Sequence, residues 1–96
     1  MNLKDLLQSR REEILQIAAS HGARNVRVFG SVARGEANEN SDIDLLVEFE
    51  PGRSLLDHAG LVVELEELLG RKVDVVSERG IYWLLRRRIL KEARPL

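Results

Sequence analysis

The stretch VRVFGSVARGEANENSDIDLLVEF, from Val26 to Phe49, sets the fold of this chain. Val26, Val28 and the adjacent Phe29 read as a short strand that ends at Gly30. Ser31 to Glu36 reads as a short helical turn, and Ala37 to Ser41 as a polar loop. Ile43 to Phe49 is then a near-continuous apolar run, as expected of a strand covered on both faces. Gly30 closes the first strand and Asp42 opens the second. If those two ends share one site, the strands run antiparallel.

Working outward, Leu3, Leu6, Leu7, Ile14, Ile17 and Ala18 fall on one helical stripe. This predicts a helix from Leu3 to His21, with Asn2 as its cap and Gly22 as its stop. Downstream, Pro51-Gly52 marks a turn. Ser54 caps a helix over Leu55 to Leu69, and Gly70 ends it. The apolar residues of that helix wrap widely around its axis, which predicts a well-covered helix. Val73 to Val76 is a third strand. Ser77 or Gly80 begins a last helix carrying Ile81, Leu84, Leu85 and Ile89, frayed by Pro95. The segment between strands two and three is long enough for a helical crossover, so those strands are expected to be parallel. The order is α-β-α-β-α-β-α. The expected fold class is α/β (α+β), a small mixed sheet with flanking helices, forming one domain over residues 1–96.

Composition narrows the function classes. An apolar fraction of 44% with 32% charged residues is that of a water-soluble globular chain. The absence of cysteine excludes a disulfide framework and a cysteine-based zinc site, and fits the cytoplasm. The start MNLKDLLQSRREE interleaves charges with its leucines, unlike a signal peptide. No apolar stretch approaches the ~20 residues that span a membrane. A net charge of −1 lacks the basic footprint of an autonomous nucleic-acid binder. Its distribution is uneven. Between Gly35 and Gly52 every charged residue is acidic: Glu36, Glu39, Asp42, Asp44, Glu48 and Glu50. From Tyr82 onward, Arg86, Arg87, Arg88, Lys91 and Arg94 stand against Glu92 alone. The acidic stretch suits divalent cations. The basic tail suits a phosphate-bearing ligand or an acidic partner, or is simply a solvated helix face.

Asp42 and Asp44 alternate with Ile43 at a strand start, so both carboxylates point the same way, roughly 6.5–7 Å apart along the chain. Like charges so placed call for a cation between them or a raised pKa. Magnesium suits hard oxygen ligands and shares its shell with substrate phosphates. Asp74, second residue of strand three, lies near Asp44 if the two strands are parallel neighbours. Three such aspartates can support two metals about 3.5–4 Å apart, the arrangement used for in-line phosphoryl displacement. Gly30 lets the backbone approach a ligand closely, and Ser31 adds a hydroxyl donor at a turn that faces an anion. Together these residues read as a site for a nucleoside triphosphate and its metal ions. Neither half is specific alone, since Gly-Ser pairs are common and an isolated Asp-x-Asp is usually a solvated strand start.

Gly30-Ser31, ten residues, Asp42-x-Asp44 and a later Asp74 form a pattern that resembles the DNA polymerase β-type nucleotidyltransferase superfamily. GSVARGEANENSDIDLLVEF and the late GRKVDVVS are similar to its minimal nucleotidyltransferase (MNT) branch, and the resemblance covers nearly the whole chain. It implies the polymerase β-type fold, a mixed sheet with flanking helices. It implies that Asp42, Asp44 and Asp74 bind two Mg²⁺ and that Gly30 and Ser31 hold ATP or another nucleoside triphosphate. An acceptor hydroxyl would attack the α-phosphate and pyrophosphate would leave. Asp42 and Asp44 would bridge the metals, while Asp74 would serve the hydroxyl-side metal and accept the proton. Members of this branch are typically encoded beside a HEPN-domain protein as a toxin–antitoxin pair, and some transfer AMP to a tyrosine of the toxin. The resemblance therefore implies an antitoxin that adenylylates a HEPN toxin encoded nearby, in a hetero-oligomer. With so little chain beyond the catalytic core, the acceptor surface is expected on the partner.

Two other classes remain open from sequence. One is a binding module that neutralises its partner by complex formation alone. The other transfers nucleotides to tRNA or another nucleic acid. Arg34, three residues after Ser31 in ARGEA, is a candidate phosphate ligand or else a salt-bridge residue. Glu36 reads as a solvated loop acid and His21 as a helix C-terminal cation. His58 reads as surface or packing. Tyr82 and Trp83 are either a partner-binding patch with the basic tail or a core residue with a half-exposed neighbour.

Overall fold

Residues 2–96 are described by a computed structural model, in which the apolar runs of the sequence become one four-stranded sheet with helices packed on it. The expected single N-terminal helix is two: α1 (Leu3–Ser9) and α2 (Arg11–Ser20). The break is at Arg10, whose backbone leaves the helical region at φ −109°, ψ 13°. Its physical basis is packing. The bend lets α1 bury Leu3 and Leu7 while α2 buries Ile14 and Ala18 in the same core.

β1 (Ala23–Phe29) starts three residues earlier than its apolar residues suggest. A bulge between Arg24 and Arg27 separates the two parts, with Asn25 at φ +52°. Asparagine tolerates that left-handed backbone better than most residues, and its amide donates to Glu48 Oε2 at 2.9 Å. A short helix, α3 (Gly30–Arg34), follows directly. β2 (Ile43–Phe49) matches the expected strand, and Ile43, Leu45, Leu46 and Val47 are fully buried. α4 (Leu55–Leu69) also matches. Ser54 and Asp57 form a reciprocal capping box at its start, and Gly70 ends it in the left-handed region. The expectation that this helix is well covered fails on one side. Leu61, Leu65 and Leu69 are buried, but Leu55 and Leu56 are 82% and 83% exposed and Val63 is also exposed.

β3 (Val73–Ser77) is followed by a 3₁₀ turn at Glu78–Gly80 and then α5 (Trp83–Glu92), which starts later than the sequence suggests. No residue of α5 is buried. The chain does not fray after it. Arg94–Pro95 forms β4, with Val28 opposite Arg94 and Arg27 opposite Pro95 on the outer edge of β1. An edge strand is where proline is tolerated, since its missing N–H leaves no ladder partner unmet. The sheet order is β3-β2-β1-β4. β2 pairs antiparallel with β1 and parallel with β3, both as expected.

Candidate active site

Strand register gathers the site. Across the antiparallel pair, Phe29 lies opposite Asp44, so Gly30 begins α3 beside that carboxylate. Across the parallel pair, Asp44 lies opposite Asp74. Gly30, Asp44 and Asp74 thus meet at one end of the sheet, as the sequence spacing predicts. Asp42 stands one residue ahead of β2 and is exposed, as is Asp74; Asp44 is half-buried.

Glycine is required twice over at position 30. Its φ is +73°, a left-handed backbone that disfavours a side chain. A Cβ there would also overlap Oδ2 of Asp44. Ser31 lies in the first turn of α3, half-buried. No side chain caps that turn, which leaves its first N–H groups uncommitted to a cap.

The loop before Asp42 is held by a residue that sequence reasoning missed. Arg71 Nη2 donates to the carbonyl oxygens of Asn38 and Ser41, each at 3.3 Å. Ser41 Oγ accepts from the Asn38 N–H at 2.9 Å, and the Ile43 N–H donates to the Lys72 carbonyl at 3.0 Å. Asp42 therefore sits between a pinned loop and a paired strand. No local pattern marks Arg71, because its partners are backbone atoms about thirty residues upstream.

Arg34 is engaged. Its Nε donates to Glu36 Oε1 at 2.8 Å and its Nη1 to Glu92 Oε1 on α5. These two carboxylates raise its pKa. Glu36 is thus a salt-bridge partner rather than a purely solvated acid. His21 contacts Glu64 and lies 4.0 Å from Asp57, both on α4. His58 faces the Val75 carbonyl through Nε2 at 2.7 Å and packs on Phe49 with ring centroids 5.3 Å apart. None of these contacts involves Asp42, Asp44 or Asp74. Tyr82 and Trp83 are both exposed, 58% and 73%, so neither serves the core.

Electrostatics set Asp44 apart. Its pKa is raised to about 6, first by partial burial and then by the charges of Asp74 and Asp42. The Arg34 charge pulls the other way. Among the described residues, no three His, Cys, Asp or Glu side chains form a closed metal-binding group. The donors nonetheless fit a divalent cation. They are hard carboxylate oxygens, and a cation beside the half-buried Asp44 would relieve the repulsion of Asp74 and Asp42.

The nucleotidyltransferase domain model matches residues 11–96. The chain belongs to the nucleotidyltransferase domain family. It is 47% identical over 93 residues to a protein of Methanocaldococcus jannaschii provisionally described as a protein adenylyltransferase, covering 97% of this chain and 96% of that one. It is 42% identical over 89 residues to the protein adenylyltransferase MntA of Thermococcus cleftensis, covering 84% of this chain and 90% of that one. A solved structure provisionally described as a minimal nucleotidyltransferase superposes with a TM-score of 0.88 at 61% identity, covering 97% and 95% of the two chains. A toxin–antitoxin complex crystallised with AMP-PNP shares the fold at a TM-score of 0.75 and 22% identity, covering 88% of this chain and 69% of that one. The domain is a nucleotidyltransferase with the mixed-sheet architecture of its family.

Proposed function

We propose that this domain transfers AMP from ATP to a hydroxyl of a partner protein, a tyrosine of a HEPN toxin, and so acts as the antitoxin. The observation that carries the chemistry is the register that brings Gly30, Asp44 and Asp74 to one end of the sheet. The acceptor class is supported by relatives described as protein adenylyltransferases, and the antitoxin role by toxin–antitoxin complexes of the same fold. A slightly acidic chain disfavours a nucleic acid as acceptor.

In this reading Gly30 allows the triphosphate to approach the backbone, and Ser31 donates its hydroxyl to a phosphate oxygen. Asp42, Asp44 and Asp74 would hold two Mg²⁺, which supply charge neutralisation for the triphosphate and acidify the attacking hydroxyl. Asp74, the exposed member of the facing pair, accepts the acceptor's proton as the new O–P bond forms at the α-phosphate. The bond from that phosphorus to the bridging oxygen breaks, and pyrophosphate leaves with the electron pair. The partner docks on α5, where Trp83, Leu84 and Leu85 are exposed beside Arg86, Arg87 and Arg88. The reaction takes place in the cytoplasm, where ATP is available.

The test uses ATP radiolabelled at the α-phosphate, Mg²⁺ and the protein encoded beside this one, with Asp44→Asn as control. Label on the neighbour with wild type alone is the expected result. A neighbour that co-purifies with this chain yet never takes up label would replace transfer with neutralisation by binding.

A further inference from the structure

Arg34 sits on α3, the helix that opens at Gly30, and its charge acts on Asp44. Its guanidinium is gripped along two edges. Glu36 accepts from Nε and Glu92 from Nη1, while Nη2 has no protein partner among the described residues. The two carboxylates are not equivalent. Glu36 is 59% exposed, whereas Glu92 is 14% exposed at the end of α5 and has Arg88 Nε 4.0 Å from its other oxygen. Arg34 and Glu92 are 58 residues apart in sequence, so the pair ties α5 to the nucleotide turn.

Resting on the nucleotide reading of this site, we propose that Glu92 is a positioning residue that holds Arg34 toward the triphosphate. A free arginine samples many rotamers, and fixing it on binding costs affinity. Glu92 removes that cost before the nucleotide arrives. The planar fork is held at Nε and Nη1, and the Nη2 edge remains for a phosphate oxygen. The alternative geometry, in which Glu92 competes with phosphate for the guanidinium, predicts the opposite sign for its removal.

Equilibrium binding of ATP with Mg²⁺ to the full chain tests this without any acceptor. Glu92→Ala is expected to weaken ATP binding about 5–10-fold, roughly 1–1.4 kcal/mol. Glu92→Gln, which keeps an acceptor oxygen, is expected to fall between Glu92→Ala and wild type. Arg34→Ala is expected to weaken binding at least as much as Glu92→Ala, and the double variant no more than Arg34→Ala alone. In the transfer assay Glu92→Ala raises KM for ATP while kcat changes less. Additive losses in the double variant would overturn the proposal, because Glu92 would then act independently of Arg34. Unchanged or tighter binding by Glu92→Ala also overturns it, the latter by making Glu92 a competitor. Either result, with wild type still binding ATP and labelling its acceptor, leaves the nucleotidyl-transfer reading intact. Wild type that binds no ATP removes both.

Discussion

Replacing Gly30 with alanine separates backbone strain from damage to the site, because Gly35 provides a matched control. The two glycines have nearly the same φ, +73° and +74°. An alanine in that region costs about 1–2 kcal/mol at either position. Beyond that the two diverge. A Cβ at Gly35 meets nothing within 4 Å, whereas one at Gly30 overlaps Oδ2 of Asp44 and lies 3.1 Å from its Cγ. The Asp44 side chain is too short to yield without taking its carboxylate elsewhere. Gly35→Ala should therefore lose about 1 kcal/mol and keep its activity. Gly30→Ala should lose about 2–3 kcal/mol, the excess being the overpacking cost. Its transfer activity should fall by about 100-fold or more, since a misplacement of order 1 Å costs that much. A domain of ordinary stability, about 5–15 kcal/mol, survives either loss, so unfolding does not explain the inactivity. Urea titration followed by far-ultraviolet circular dichroism measures the first quantity; Trp83 fluorescence is a poor reporter because the ring is already exposed. Radiolabel transfer measures the second. Equal stability and equal activity in the two variants would refute the claim that Gly30 is fixed by contact with Asp44.

Asp44→Asn should abolish transfer yet stabilise the metal-free domain above pH 6. The folded state holds the Asp44 proton up to about pH 6, against 3.8 ordinarily. Wild type therefore loses stability as pH rises from about 4 to 6, while the variant lacks that slope. The gain is about 1 kcal/mol, discounted because the carboxylate is half open to water; melting curves across pH 4–8 check it, and a less stable variant at pH 7 would contradict it. On α4, Leu61→Ala should cost about 2–5 kcal/mol in chemical denaturation. Leu56→Ala, on the exposed side, should stay within about 0.5 kcal/mol. Equal losses would mean that the exposed side of α4 is not exposed in solution. Ser54→Ala removes the capping box at the start of α4 and should lower stability by about 1 kcal/mol.

What the sequence made legible, and what it hid, follows from the range of the forces. β2 and α4 were read to the residue. A strand buried on both faces is a contiguous apolar run, and a capping box and a terminal glycine are local signals. The break at Arg10 was not legible, because the apolar stripe resumes in helical phase at Ile14 and only packing bends the chain there. β4 is two residues long and carries no periodicity; the open edge of β1 defines it. The exposed side of α4 was misread because apolar residues around a helix do not reveal how much of it the neighbours cover. In the site, Gly30, Asp44 and Asp74 were legible because strand alternation and pairing direction place them by arithmetic. Glu92 and Arg71 were not, because their partners are 58 and about thirty residues away.

The same arithmetic explains how one small sheet tolerates three acidic groups together. Each aspartate is the second residue of its strand or precedes it, so the charges gather at the sheet's end rather than within its apolar middle. Asp42 and Asp74 remain exposed, where repulsion is screened by water. Asp44 is drawn into partial burial, facing Asp74 and close to the turn at Gly30, and its pKa is raised to about 6. The half-buried Asp44 thus carries an electrostatic cost, from burial first and from the charges of Asp74 and Asp42 after it. A cation that relieves Asp44 recovers that cost as binding free energy. Mg²⁺ should accordingly raise the melting temperature of wild type more than that of Asp44→Asn, and the difference should shrink as pH falls toward 5, where protons occupy Asp44 instead. An equal Mg²⁺ effect on both proteins would place the cation elsewhere.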